Sequence, residues 1–176
     1  MEEQKDAFAD LTTLLILGIA LVYMVMASLF GNLRDPLIVM FSVPFAFTGV
    51  LYAFYLTGTS LGMIPFMGVI MLMGIVVNNA IVLLDYTHLL QKRGRPVQAA
   101  VVEAGSHRLR PVLMTTLTTL FAMVPMAVSD TVGAEAWNPL GVTMLGGLSV
   151  SMLVSLVLVP TVFYLFERRK EKRSGR

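Results

Sequence analysis

The sequence has no cysteine, so disulfides and thiolate metal sites are excluded, and cysteine usage says nothing about redox compartment. Charge is scarce: 14% of the 176 residues are Asp, Glu, Lys or Arg, against about a quarter in an ordinary soluble domain. The two histidines, His88 and His107, belong to no spaced His/Asp/Glu set of metal-ligand type. No nucleophile sits with a base inside an apolar run. An enzyme is therefore not expected. The net charge of +2 gives no broad attraction for nucleic acid. What the chain has is apolar surface: 56% of its residues are hydrophobic and the mean hydropathy is +0.78. That excludes a water-soluble globule. At roughly 20 residues per spanning helix, almost the whole chain fits within a bilayer.

Five long apolar runs stand out, at about 11–30, 37–56, 64–84, 111–128 and 140–166. They are continuous rather than alternating, which predicts helices and excludes a barrel. The expected fold is an all-α membrane protein, a bundle of five transmembrane helices. A lead-in over 1–10 precedes it, a loop over 88–110 interrupts it and a basic tail over 167–176 follows it. Pro36 suits the first position of the second helix, and the short stretch 57–60 makes the second and third helices antiparallel. Within the loop, Val97, Ala100, Val101 and Ala104 repeat at helical spacing, predicting a short interfacial helix that starts at Pro96 and stops at Gly105.

Positive charge sets the expected orientation. Arg34 follows the first run; Lys92, Arg93, Arg95, Arg108 and Arg110 lie between the third and fourth; Arg168, Arg169, Lys170, Lys172, Arg173 and Arg176 follow the fifth. Of the 13 basic residues only Lys5 falls on the other side, where Glu2, Glu3, Asp6, Asp10, Asp130 and Glu135 collect. The amino terminus is expected outside and the carboxyl terminus inside. An odd number of helices after an acidic outside terminus is awkward to insert alone, so the chain is expected to be a piece of something longer.

Few polar side chains fall within the runs. Asn78 and Asn79 stand side by side in the third; taken alone they suit helix-to-helix glue better than an ion path, because asparagine cannot titrate. Asp85 lies two helical turns beyond Asn78, and alone it suits a solvated boundary carboxylate. Arg108 suits an anchor at the interface, and Thr115, in the run Thr115-Thr116-Leu117-Thr118-Thr119, can bond its own helix. Pro44, Pro125 and Pro160 permit bends. Gly147, Ser151 and Ser155 form a small-residue stripe that predicts a close helix contact. Met63, Met67 and Met71 form another, expected to pack rather than to bind a soft metal.

The stretches Gly74-Ile75-Val76-Val77-Asn78-Asn79-Ala80-Ile81-Val82-Leu83-Leu84-Asp85-Tyr86 and Arg108-Leu109-Arg110-Pro111-Val112-Leu113-Met114-Thr115-Thr116 closely resemble the resistance-nodulation-division (RND) efflux permeases, best the hydrophobe/amphiphile multidrug branch. Tyr23-Met24-Val25-Met26-Ala27-Ser28-Leu29-Phe30, Pro36, Val43-Pro44 and Val159-Pro160 agree. The resemblance implies helices eight to twelve of a twelve-helix permease of the bacterial inner membrane, driven by proton flow and exporting amphiphilic compounds or drugs. It implies as partners the amino-terminal half with its periplasmic porter domains, two further copies in a homotrimer, a periplasmic adaptor and an outer-membrane channel. The proton-motive force takes the place of any cofactor. In the family a lysine of the tenth helix, an arginine and a threonine of the eleventh, and two aspartates of the fourth form the proton relay. Arg108 and Thr115 match the arginine and threonine, Asn78 stands at the lysine position, and the aspartates are not in this chain. Asn78, with Asn79, would then hydrogen-bond the aspartates, with Asp85 on the same helix face. Two alternatives stay open: a non-transporting truncated module with a structural or interaction role, and a metal-exporting relative.

Overall fold

The computed structural model describes residues 2–129, 131 and 133–174, with side chains described for 5–129, 131, 133–134 and 136–167. Asp130, Arg176 and the side chains of Glu2, Glu3, Glu135 and the basic tail lie outside the described residues. The described chain is helices and turns alone: α1 (Glu2–Phe30), α2 (Arg34–Met40), α3 (Val43–Thr57), α4 (Met63–Lys92), α5 (Val97–Val128) and α6 (Ala134–Ser174). Five segments have the length and apolarity to cross a membrane, with α2 and α3 together making the second.

Pro44 explains why the second run breaks. It has no amide proton for the carbonyl of Met40, so the chain tightens instead: the Phe41 amide donates to Leu37 O (3.1 Å) and the Ser42 amide to Val39 O (3.0 Å). The Ser42 hydroxyl also donates to Val39 O at 2.6 Å, fully buried. Glycines with positive φ turn the chain at Gly31 (65°), Gly58 (68°) and Gly94 (83°), a conformation side chains rarely adopt.

The short helix expected over 96–105 is not separate. After a turn over 93–96 the chain enters α5 and runs unbroken through Gly105 and Pro111 to Val128. Val97, Ala100 and Ala104 are buried within the protein. The helical spacing is real, and the face it creates packs against neighbouring helices. At the other end α1 is helical from Glu2, well before its first apolar residues.

Helix α6 packs most extensively, on α2, α3, α4 and α5, while α4 touches every other helix. Small residues on α6 allow the approach. A Cβ on Gly147 would collide with the Leu72 side chain, and a Cβ on Gly49 of α3 would come 2.6 Å from Gly146 O and 2.7 Å from Val150 Cβ. Ser151 and Ser155 are buried on the same stripe. Two apolar layers fill the bundle. One joins Val50, Phe54, Leu72, Val76, Met144 and Leu148; the other joins Met26, Val39, Leu84, Ala100, Val159 and Phe163 towards the end where α1 stops. Helix α1 is peripheral, with Leu14, Ile16, Leu17, Met24 and Val25 all exposed. Exposed apolar rods of this kind belong in hydrocarbon.

Candidate functional site

Two polar regions stand out against this apolar bundle. The first is the open face of α4. Helical spacing lines up Met67, Met71, Gly74, Asn78 and Asp85, and all five are exposed, while Leu72, Val76, Val77 and Ala80 on the other side are buried. Of the three methionines expected to pack, Met63 is partly buried, while Met67 is 50% and Met71 54% exposed on this open face. A Cβ on Gly74 would meet nothing within 4 Å. Among the described residues, no hydrogen bond joins the side chain of exposed Asn78 or half-buried Asn79 to another group, and Asp85 makes no ion pair.

Beside this face runs α5. The Arg108 guanidinium lies 4.9 Å from the centre of the Tyr86 ring, a cation–π contact that holds it next to the segment carrying Asp85. The Tyr86 ring also meets His107 edge-on at 6.1 Å. Thr115 is exposed, its hydroxyl donating back to Pro111 O and Val112 O, both at 3.1 Å. Its neighbour Thr116 is buried, with an Oγ1 that has no partner among the described residues. Asn78, Asn79 and Asp85 thus share α4, and Arg108 and Thr115 share α5. No hydrogen bond or ion pair links these five side chains to one another among the described residues.

The second region was missed in the sequence. Where α1 ends and α2 begins, Asn32 Oδ1 accepts the amides of Arg34 (3.0 Å) and Asp35 (2.9 Å), capping α2 from two residues before Arg34. Asn32 Nδ2 donates to Asp35 Oδ2 at 2.6 Å. His88 Nε2, in the tautomer that bears its proton, donates to the same oxygen at 3.1 Å. The Asp35 side chain is only 7% exposed, so both donors answer its need for partners. The His88 ring is wedged between Phe30 and Phe163, centroids 5.5 and 5.3 Å away. The available signal was the apolar pair Leu89-Leu90: it carries α4 past Leu84 and makes His88 a helix residue facing α2. These groups border a cavity of about 600 Å³.

No set of three or more His, Cys, Asp or Glu among the described residues could hold a metal ion. Five helices of membrane-spanning length and apolarity around an apolar core define a multi-pass membrane protein of the helical class. The chain belongs to the AcrB/AcrD/AcrF family, which its residues 1–167 match, within the RND superfamily of secondary transporters. It is similar to the swarming motility protein SwrC of Bacillus subtilis, at 38% identity over 97% of this chain and 16% of that protein. It is also similar to the multidrug resistance protein MdtC of Erwinia amylovora, at 36% identity over 90% of this chain and 16% of that protein. Among solved structures, a crystal structure of a heavy metal efflux pump superposes with a TM-score of 0.84 at 32% identity, covering 94% of this chain and 17% of that one. The chain thus spans about a sixth of the length of these relatives. Its family and its five apolar spans identify a multi-pass protein of the bacterial inner membrane.

Proposed function

We propose that the chain is the membrane stretch comprising helices eight to twelve of a proton-driven RND efflux permease, with its amino terminus periplasmic and its carboxyl terminus cytoplasmic. The observation that carries this reading is the unpartnered amide of Asn78 on the open face of α4. A polar group in hydrocarbon costs free energy until it finds a partner, so this face calls for a complementary polar surface. In a permease the other half of the membrane domain supplies one. Asparagine cannot carry a proton; its role is to hydrogen-bond and orient carboxylates that do, each such bond being worth about 0.6–2 kcal/mol. Arg108 and Thr115 line the water path beside it, with Asn79 and Asp85 extending the network towards the cytoplasm. The whole permease would act as a trimer with a periplasmic adaptor and an outer-membrane channel.

Export by the polypeptide that carries this chain, measured as dye efflux together with proton uptake in vesicles, tests the role of Asn78. Asn78→Ala is expected to lower both about tenfold, the worth of one buried hydrogen bond at roughly 1.4 kcal/mol; Thr115→Ala is expected to have a smaller effect in the same direction. Unchanged efflux and proton uptake in both variants would remove these residues from the mechanism.

Amphiphilic cargo has the support of the relatives named as multidrug resistance proteins. Metal cargo has the stronger support, from the heavy metal efflux pump structures and from the exposed thioethers of Met67 and Met71, soft ligands suited to Cu(I). Growth protection against dyes but not copper or silver salts supports the first, and the reverse supports the second. Protection against neither, with a stable isolated product, supports a non-transporting membrane module.

A further inference from the structure

Arg108 is half-buried on α5, a long charged side chain in a bundle with few of them. In a helix the Cα–Cβ bonds tilt towards the amino-terminal end, which for α5 is the turn over 93–96. A guanidinium with nothing to hold it follows that tilt and snorkels towards water beyond the turn. Here its central carbon lies over the Tyr86 ring of α4, 4.9 Å from the ring centre, within cation–π range. His107 braces the same ring edge-on, with centroids 6.1 Å apart and planes at 61°.

We propose that Tyr86 is a positioning residue: its ring face seats the Arg108 guanidinium beside the proton path and leaves the N–H donors open for carboxylates or water. This deepens the role given to Arg108 above and rests on it. Two observations carry it. A ring face offers π-electrons and no acceptor oxygen, so the contact holds the charge without committing the N–H donors. Among the described residues no hydrogen bond or ion pair engages the Arg108 side chain. The second observation is that the Tyr86 hydroxyl has no hydrogen-bond partner among the described residues. The ring is therefore engaged and the phenol is not.

The strength of such a seat suits a cation that must change partners. A carboxylate in place of Tyr86 would grip Arg108 through short charge-assisted hydrogen bonds and occupy its donors. An aliphatic side chain would release it to snorkel. An aromatic face lies between these: it holds the charge in place, and a carboxylate arriving from the other half of the membrane domain can take the donors without first breaking an ion pair.

The test measures proton uptake by the whole polypeptide that carries this chain, in vesicles supplied with ethidium or, separately, with silver ion. Phenylalanine analogues with one, two or three ring fluorines, placed at position 86 by nonsense suppression, draw charge off the ring face at nearly constant shape. Tyr86→Phe is expected to transport within about twofold of the parent, because the ring face remains. Added fluorines are expected to lower the maximal rate stepwise, to about fivefold at the third, the size of one lost cation–π contact. Melting temperature and the half-saturating cargo concentration should stay unchanged, and Tyr86→Leu should match the most fluorinated form. A packing role would not follow the fluorine count. A rate independent of fluorination, or a Tyr86→Phe protein as slow as Tyr86→Leu, overturns the proposal. Arg108→Ala separates that failure from failure of the reading beneath it. If Arg108→Ala slows uptake and the fluorinated series does not, Arg108 keeps its role and Tyr86 loses its own. If Arg108→Ala transports like the parent, or the parent takes up protons with neither cargo, both fall. Should Tyr86→Leu fail to fold, the fluorinated series still decides.

Discussion

Asp35 is a buried carboxylate at the edge of an apolar bundle, and two side chains help to explain how it is tolerated. Asn32 caps the helix that carries it and donates an amide N–H to it; His88 donates from α4. Asn32→Ala removes the cap and one donor together, so a loss of about 1–2 kcal/mol is expected, seen as a lower melting temperature by helical circular dichroism in detergent. Asn32→Asp keeps the capping oxygen but sets a second carboxylate against Asp35, and is expected to melt lower still. An Asn32→Asp protein as stable as the parent would contradict the role assigned to Nδ2. Nothing in the local sequence announces the partnership, because Asp35 and His88 meet only after two helices have packed. By contrast Asn78, Asn79 and Asp85 could be picked out directly, since polar groups inside an apolar run are conspicuous without any tertiary information.

The helices pack through small residues. Gly147, Ser151 and Ser155 were legible as a stripe because their spacing lies within one helix. The opposing contact of Gly49 with Gly146 was not, because it needs the crossing of α3 and α6. Gly49→Ala is expected to destabilise by about 1–3 kcal/mol, since its Cβ would press on backbone that cannot yield. Gly74→Ala meets open space and should leave the bundle intact or slightly firmer. Melting temperatures of the two variants in the same detergent check the contrast, and equal losses would contradict this account of the packing. Gly105 misled for a related reason. A glycine in mid-helix costs about 1 kcal/mol relative to alanine, too little to end a helix whose neighbours Ala100 and Ala104 are fully buried. Local signals mark where a helix could stop, and packing decides whether it does.

For the molecule as a whole, the five spans were legible from hydropathy because each run nears the thickness of a hydrocarbon core. The extensive packing of α6 and the peripheral position of α1 were not, since both runs are apolar on nearly all sides. The open face of α4 has a consequence at this scale. Gly74→Leu is expected to spare the stability of the five-helix bundle yet lower export by the whole polypeptide, because added bulk would obstruct whatever covers Asn78. Efflux assays beside melting curves check this, and full export by a stable Gly74→Leu protein would contradict it.

The expected orientation rests on charge alone, and the absence of cysteine from these 176 residues lets single cysteines placed in them be read directly. Single cysteines at Asp10, Ser60, Arg95 and Ser174 would be probed with a membrane-impermeant maleimide before and after permeabilisation. A bundle of five spans with its amino terminus outside predicts labelling of positions 10 and 60 in intact spheroplasts, and of 95 and 174 only once the membrane is opened. Labelling of positions 10 and 174 from the same side would contradict it.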